Sequence, residues 1–204
     1  MLAWLWQGGS MARASADVYA RIVAQARAHA LYARLRVPDT MDGRLEMILL
    51  HTVLVLDRLR GEGRPAERIG QRLMEHLVAD IDDALRRIGI GDDGVAHRIP
   101  RLAGALAERA RDYGPALAVA QPARGADDPL AAALAGHVGA SALSSARAAE
   151  PASSPAPPDA AGLAAYARAA RDRLAATAGA DVLAGRITFP EVGRAVLPIE
   201  ETTP

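Results

Sequence analysis

The stretch Met41-Asp-Gly-Arg-Leu-Glu-Met-Ile-Leu-Leu50-His-Thr-Val-Leu-Val-Leu-Asp-Arg-Leu-Arg60 decides the fold. It is apolar almost all round, through Leu45, Ile48, Leu49, Leu50, Val53, Leu54, Val55, Leu56 and Leu59. A helix with no wet face belongs at the centre of a bundle, where neighbours cover it on every side. Pro38-Asp39-Thr40 forms a turn before it, with Asp39 or Thr40 positioned to cap the helix. Gly61-Glu-Gly63 stops it.

Working outward, a first helix is expected over Ala16–Arg34, capped by Ser15 and ending before Val37-Pro38, because the residue before proline avoids the α region. Its buried face is Val18, Tyr19, Ile22, Val23, Ala26, Ala30 and Ala33. Downstream, Pro65 suits the first turn of a third helix running to Ile88. Leu73, Met74, Leu77, Val78, Ile81, Leu85 and Ile88 make its apolar face, and Gly89 fits the position just past its end. A fourth helical region spans Val95–Tyr113, where Pro100 marks a kink or the true start. Pro115 begins a short apolar piece, and Asp128-Pro129 opens a small helix to Val138. Residues Gly139–Asp159 are rich in Ala, Ser and Pro and read as a flexible linker. A last amphipathic helix covers Ala160–Thr177, followed by Ile187-Thr-Phe-Pro190 and a polar tail.

The expected architecture is therefore all-α: an irregular helical bundle with a flexibly tethered C-terminal helix. It divides into a flexible N-terminus (1–15), a helical domain (16–138), the linker (139–159), and the C-terminal helix and tail of the same domain (160–204).

Composition narrows the chemistry. Of 204 residues, 47 are Ala and seven aromatic, too few ring and β-branched side chains for a β-sandwich or barrel. The absence of Cys excludes disulfides, thiolate metal sites and thiol catalysis. All 24 cations are Arg, which excludes a Walker lysine and a Schiff base. The formal net charge is zero, so bulk electrostatics argues for no nucleic-acid partner. No stretch approaches the roughly 20 apolar residues of a membrane span. The expected location is cytoplasmic, with Trp4 and Trp6 either packed on the domain or dipping into a membrane interface.

Three patterns could carry chemistry. Gly89-Ile-Gly91-Asp92-Asp93-Gly94 matches the dinucleotide-binding spacing, but a helix rather than a strand precedes it and two carboxylates would repel phosphate, so it reads as a helix–helix turn. His76, Asp80 and Asp83 share a stripe, which reads as a solvated face with an Asp83–Arg87 pair; the alternative is a metal site. His51 aligns with Arg44 and Arg58 and reads as part of a polar seam, with a buried functional group as the alternative. A small helical enzyme or metal-binding bundle using His51, His76 and Asp80 is thus the rival function. No cofactor fingerprint and no nucleophile–base motif is visible.

Two segments carry a more specific pattern. The first includes Tyr19-x-x-Ile-Val-x-Gln-Ala-Arg27, Leu31-Tyr-Ala33, Val37-Pro-Asp-Thr-x-Asp-Gly-Arg44, Glu46-Met-Ile48 and Leu50-His51. The second is Asp80-Ile-Asp-x-x-Leu-Arg-x-Ile-Gly-Ile-Gly-Asp92 with Gly94-Val95, and Asp128-Pro-Leu-x-x-Ala-Leu134 and Gly185-x-Ile-x-Phe-Pro190 follow. Together they resemble the ubiquinol–cytochrome c chaperone family, bacterial relatives of the mitochondrial assembly factors for the cytochrome bc complex. Ala96-His-Arg-Ile-Pro100 departs from it, standing where the family usually has Pro-Lys and further basic residues.

The resemblance implies a non-enzymatic assembly chaperone without cofactor. The implied client is newly made cytochrome b, or another subunit of the bc complex. The family's eukaryotic members work with a small partner protein near the ribosome exit, which the resemblance alone does not carry over to this chain; a peripheral place at the inner face of the cytoplasmic membrane is the alternative to a purely cytoplasmic one. Two loops in these segments hold residues that a core does not require. Asp39, Thr40, Asp42, Gly43 and Arg44 on one, and Gly91, Asp92, Asp93 and Gly94 on the other, are the candidate client-binding residues. If the second and third helices are antiparallel, the loops share one end of the bundle, with Arg44 facing Asp92 or Asp93.

Overall fold

In a computed structural model, the structure describes residues 3–87, 92–119, 127–138 and 157–193, the side chains of 3–8 and 92–99 excepted. These residues form helices α1 (Ala3–Ala26), α2 (His29–Ala33), α3 (Met41–Leu59), α4 (Arg64–Arg87), α5 (Asp92–Leu117), α6 (Pro129–His137), α7 (Ala160–Ala175) and α8 (Gly179–Leu183). The fold is all-α.

Helix α3 is the axis of the bundle, as its uniformly apolar sequence requires. Thirteen of its 19 residues are buried, and α1, α4, α5 and α7 all pack on it. Thr40 takes the cap: its Oγ1 accepts from the Gly43 amide at 3.1 Å. Asp39 instead accepts from Arg44 Nε at 2.6 Å. A side chain at position 43 would drive a Cβ into the Pro38 carbonyl oxygen, so the turn closes this tightly only over glycine. At the other end Gly61 and Gly63 both adopt positive φ, 84° and 81°, reversing the chain into α4.

Several boundaries differ from the sequence reading. The first helix starts at Ala3 rather than Ala16, and Ser15 lies within it: buried, its hydroxyl donates to the Ala12 carbonyl at 2.9 Å instead of capping. The helix also ends early, at Ala26. No local breaker explains this; the Tyr32 hydroxyl donates to the freed Ala26 carbonyl at 2.6 Å, so a tertiary bond holds the break. Helix α5 begins at Asp92 and runs through both Pro100 and Pro115 to Leu117, so Pro115 does not start a separate piece.

Asp128 caps α6 as expected, accepting from the Leu130 amide at 2.9 Å with Pro129 in the first turn. The same carboxylate accepts two bonds from Arg168 of α7, at 2.6 and 2.7 Å. The expected linker lies outside the described residues from 139 to 156. The helix beyond it is an integral layer. Leu163, Ala164, Tyr166, Ala167, Ala170 and Leu174 of α7 are buried against α3 and α6. Its many alanines permit that close approach. Beyond α8, Ile187 is buried and Phe189 packs on the same core.

Candidate functional site

Two polar constellations lie inside the bundle; sequence reasoning missed the first, and for the second it singled out His51 but favoured a polar seam over burial. Glu46, on α3, is completely buried. Arg109 of α5 donates to it from Nη2 at 2.8 Å and from Nε at 3.0 Å. Tyr113, one turn further along α5, donates its hydroxyl at 2.7 Å to the other carboxylate oxygen. Burial, together with the adjacent Glu46 charge, pushes the Tyr113 phenol far above its ordinary range, so it stays a donor. The signal was available: a carboxylate on a helix with no wet face must find a partner, and the cation had to come from another helix.

The second constellation centres on His51. Its ring is wholly buried, correcting the expectation of a polar seam. Arg58 reaches away to carbonyls of Leu174 and Thr177 and to Glu62, while Arg44 pairs with Asp39, so neither shares a seam with His51. Nδ1 of His51 is 2.6 Å from the Met47 carbonyl, which can only accept, so Nδ1 carries the proton. Nε2 then accepts from the Tyr166 hydroxyl at 2.6 Å, and Tyr166 in turn accepts from Gln25 Nε2 at 2.9 Å. The chain of donors is complete and neutral. Burial lowers the His51 pKa to about 4, and Phe189 packs edge-on against the imidazole with centroids 5.0 Å apart. Helices α1, α3, α7 and the C-terminal segment thus meet at one imidazole.

The stripe on α4 does not face water throughout, as the sequence reading held. His76 stacks on Tyr19 of α1 at 5.6 Å, and Asp80 accepts from the Tyr19 hydroxyl at 3.0 Å. Only its end is solvated, where Asp83 pairs with Arg87 at 3.7 Å. Both nitrogens of His51 are already bonded, and among the described residues no group of three or more His, Asp or Glu could hold a metal ion. His51 and the His76–Asp80 pair are bonded into separate networks, on α7 and α1 respectively.

The surface feature that gathers sequence candidates is a groove of about 390 Å³ where the start of α3 meets the end of α4. Asp39, Thr40, Met41 and Arg44 line it from α3 and the turn before it, Asp80, Ile81, Ala84, Leu85 and Arg87 from α4, and Arg27 lines it from just past α1. The shared end of the bundle is as the antiparallel arrangement requires. Arg44, however, pairs with Asp39. Asp92, Asp93 and Gly94 open α5, and Gly91 lies outside the described residues with the rest of the turn from residue 88. Asp42 sits in the first turn of α3, and Gly43 supports the cap.

An all-α bundle whose core polar groups are spent on holding its helices together, with a groove opening at one end, has the build of a protein-binding module. The chain belongs to the ubiquinol–cytochrome C chaperone family, whose model matches residues 33–189. A solved structure, the crystal structure of the Cbp3 homolog from Brucella abortus, is similar to it: 34% sequence identity and a TM-score of 0.73, over 95% of this chain and 99% of that one. No curated protein matches the chain. Among the described residues no helix is long and apolar enough to cross a membrane.

Proposed function

We propose that this protein is a non-enzymatic assembly chaperone for ubiquinol–cytochrome c reductase and that its client is newly made cytochrome b. The family match over residues 33–189 carries the reading. The spent polar core supports it: Arg109 and Tyr113 satisfy Glu46, and the Met47 carbonyl and Tyr166 satisfy His51, so these groups serve one another rather than a substrate. The loops holding Asp39, Thr40, Asp42, Gly43 and Arg44, and Gly91 to Gly94, are the proposed client-binding surface, on the cytoplasmic side of the membrane that holds the client.

Deleting the gene tests this. The expected outcome is loss of assembled complex III and of spectroscopically detectable cytochrome b, with other respiratory complexes intact. A deletion strain with normal complex III overturns the proposal. Paired changes at Asp42 and Arg44, then at Asp92 and Asp93, locate the surface. Folded variants that fail to restore assembly place it on the loops, and full rescue by every folded variant places it elsewhere.

A further inference from the structure

Core aliphatics come nearest the surface at the groove between α3 and α4. Ile48 and Ile81 are the most exposed large aliphatics of the core, at 8% and 9%, and both line the groove. Met41, 49% exposed, stands at its lip and is one of two large hydrophobics exposed among the described residues. The rim is charged and unbalanced: Arg27, Arg44 and Arg87 against Asp39 and Asp80. Arg44 neutralises Asp39, while the Tyr19 hydroxyl donates to Asp80 and leaves its charge in place. Arg87 has only a 3.7 Å contact with the exposed Asp83. Arg27 has no side-chain hydrogen bond or ion pair among the described residues.

We propose that this groove docks a short apolar peptide segment carrying a carboxylate, its aliphatic side chains on Met41, Ile48 and Ile81 and its acid between Arg27 and Arg87. The inference rests on the chaperone reading and gives the client's chemistry. A volume of about 390 Å³ holds two or three aliphatic side chains, the anchors of a single helical turn. With Arg44 and Asp39 paired, Arg27 and Arg87 outnumber Asp80 among the lining residues, so the excess charge is cationic and the occupant supplies an anion. A peptide fits better than a membrane surface, because the apolar contact is a recess of about 390 Å³ between two helices, sized for side chains, and Met41 is, among the described residues, the one exposed large hydrophobic beside it that a bilayer could take up.

The test uses the full chain labelled at its methionine methyls. Met41 reports on the groove, while Met47, fully buried, and Met74, on α4, serve as controls. The probes are the amidated, acetylated peptide Leu-Leu-Glu-Ile-Leu, its Gln and Lys counterparts, and phosphatidylglycerol vesicles. The expected result is that the Glu peptide shifts the Met41 resonance alone and the Gln peptide binds about five-fold more weakly, the upper range for an exposed ion pair. Arg27→Glu should reverse the preference toward the Lys peptide, which a merely structural role would not do. Ala84→Leu, filling the groove, should abolish the shift while circular dichroism stays unchanged.

Equal binding of all three peptides, binding that leaves Met41 unmoved, or Met41 shifts with vesicles but not peptides each overturn the proposal. The result is separable from the deletion experiment. Normal complex III in the deletion strain defeats the chaperone reading, whereas the peptide titration judges the groove by itself.

Discussion

Arg109 and Glu46, 63 residues apart in sequence, meet inside the bundle at 2.8 Å with side chains 3% and 0% exposed. A pair so deeply desolvated is costly to make and costlier to halve.

Arg109→Met, which leaves the Glu46 carboxylate buried with only Tyr113, should lower the unfolding free energy by about 3–5 kcal/mol. Replacing both partners, Glu46→Leu with Arg109→Met, should recover most of that loss, because no charge is stranded. Urea denaturation of the two variants checks this; a double variant no more stable than the single one would show that the pair is net stabilising rather than merely mutually dependent.

His51 makes stability depend on pH. In the unfolded chain its pKa is about 6.5, while burial in the folded protein lowers it to about 4. Between those values only the unfolded chain takes up the proton, so the contribution is whole above about pH 6.5 and disappears as pH falls to 4. The loss is about 3 kcal/mol. His51→Gln should be less stable at pH 7 yet lose about that much less between pH 7 and pH 4, measured by denaturant melts at each pH.

Two helical glycines should respond with opposite sign. Gly43→Ala drives a methyl into the Pro38 carbonyl oxygen and should destabilise by more than about 1 kcal/mol, although alanine is the better helix former. Gly104→Ala, in α5 with nothing within 4 Å of the new methyl, should stabilise by about 0.5–1 kcal/mol. Paired thermal melts read both.

Asp128 does two things that substitution can separate. Its hydrogen bonds from Arg168, aided by the Leu130 amide, hold its pKa below the ordinary carboxylate range. Asp128→Asn keeps the cap and weakens the tie to α7; Asp128→Ala loses both and should cost about 1 kcal/mol more, the usual worth of a cap. Equal melting temperatures for the two would show that the cap contributes nothing.

Local rules made the bundle legible wherever they act alone. The uniform hydrophobicity of Leu45–Leu59 placed α3 at the centre, Asp128-Pro129 marked the start of α6, and the motif around Pro38–Arg44 led to the family. They failed where distant residues decide. The break after Ala26 depends on the Tyr32 hydroxyl, and no residue near it signals a stop. His51 was misplaced because aligning it with Arg44 and Arg58 assumed that all three share a solvated face; Tyr166, 115 residues on, supplies the partner that lets it be buried. Glu46 was noticed only as part of a family motif. That the start of α3 and the end of α4 share one end followed from an antiparallel pair, but the groove between them and the Arg44 pairing with Asp39 did not.

The position of Tyr166 constrains when this protein can become functional. Its hydroxyl joins Gln25 and His51, 141 and 115 residues earlier, and its helix covers α3. The apolar stretch from Leu45 to Leu59 is synthesised long before the helix that shields it, and such non-local pairing slows folding. A chain still on the ribosome therefore exposes an uncovered seam along α3 of the kind that aggregates or recruits holding factors. A nascent chain lacking residues 160–175 would have no finished core, so a premature stop anywhere before α7 should yield an insoluble fragment rather than a smaller working protein.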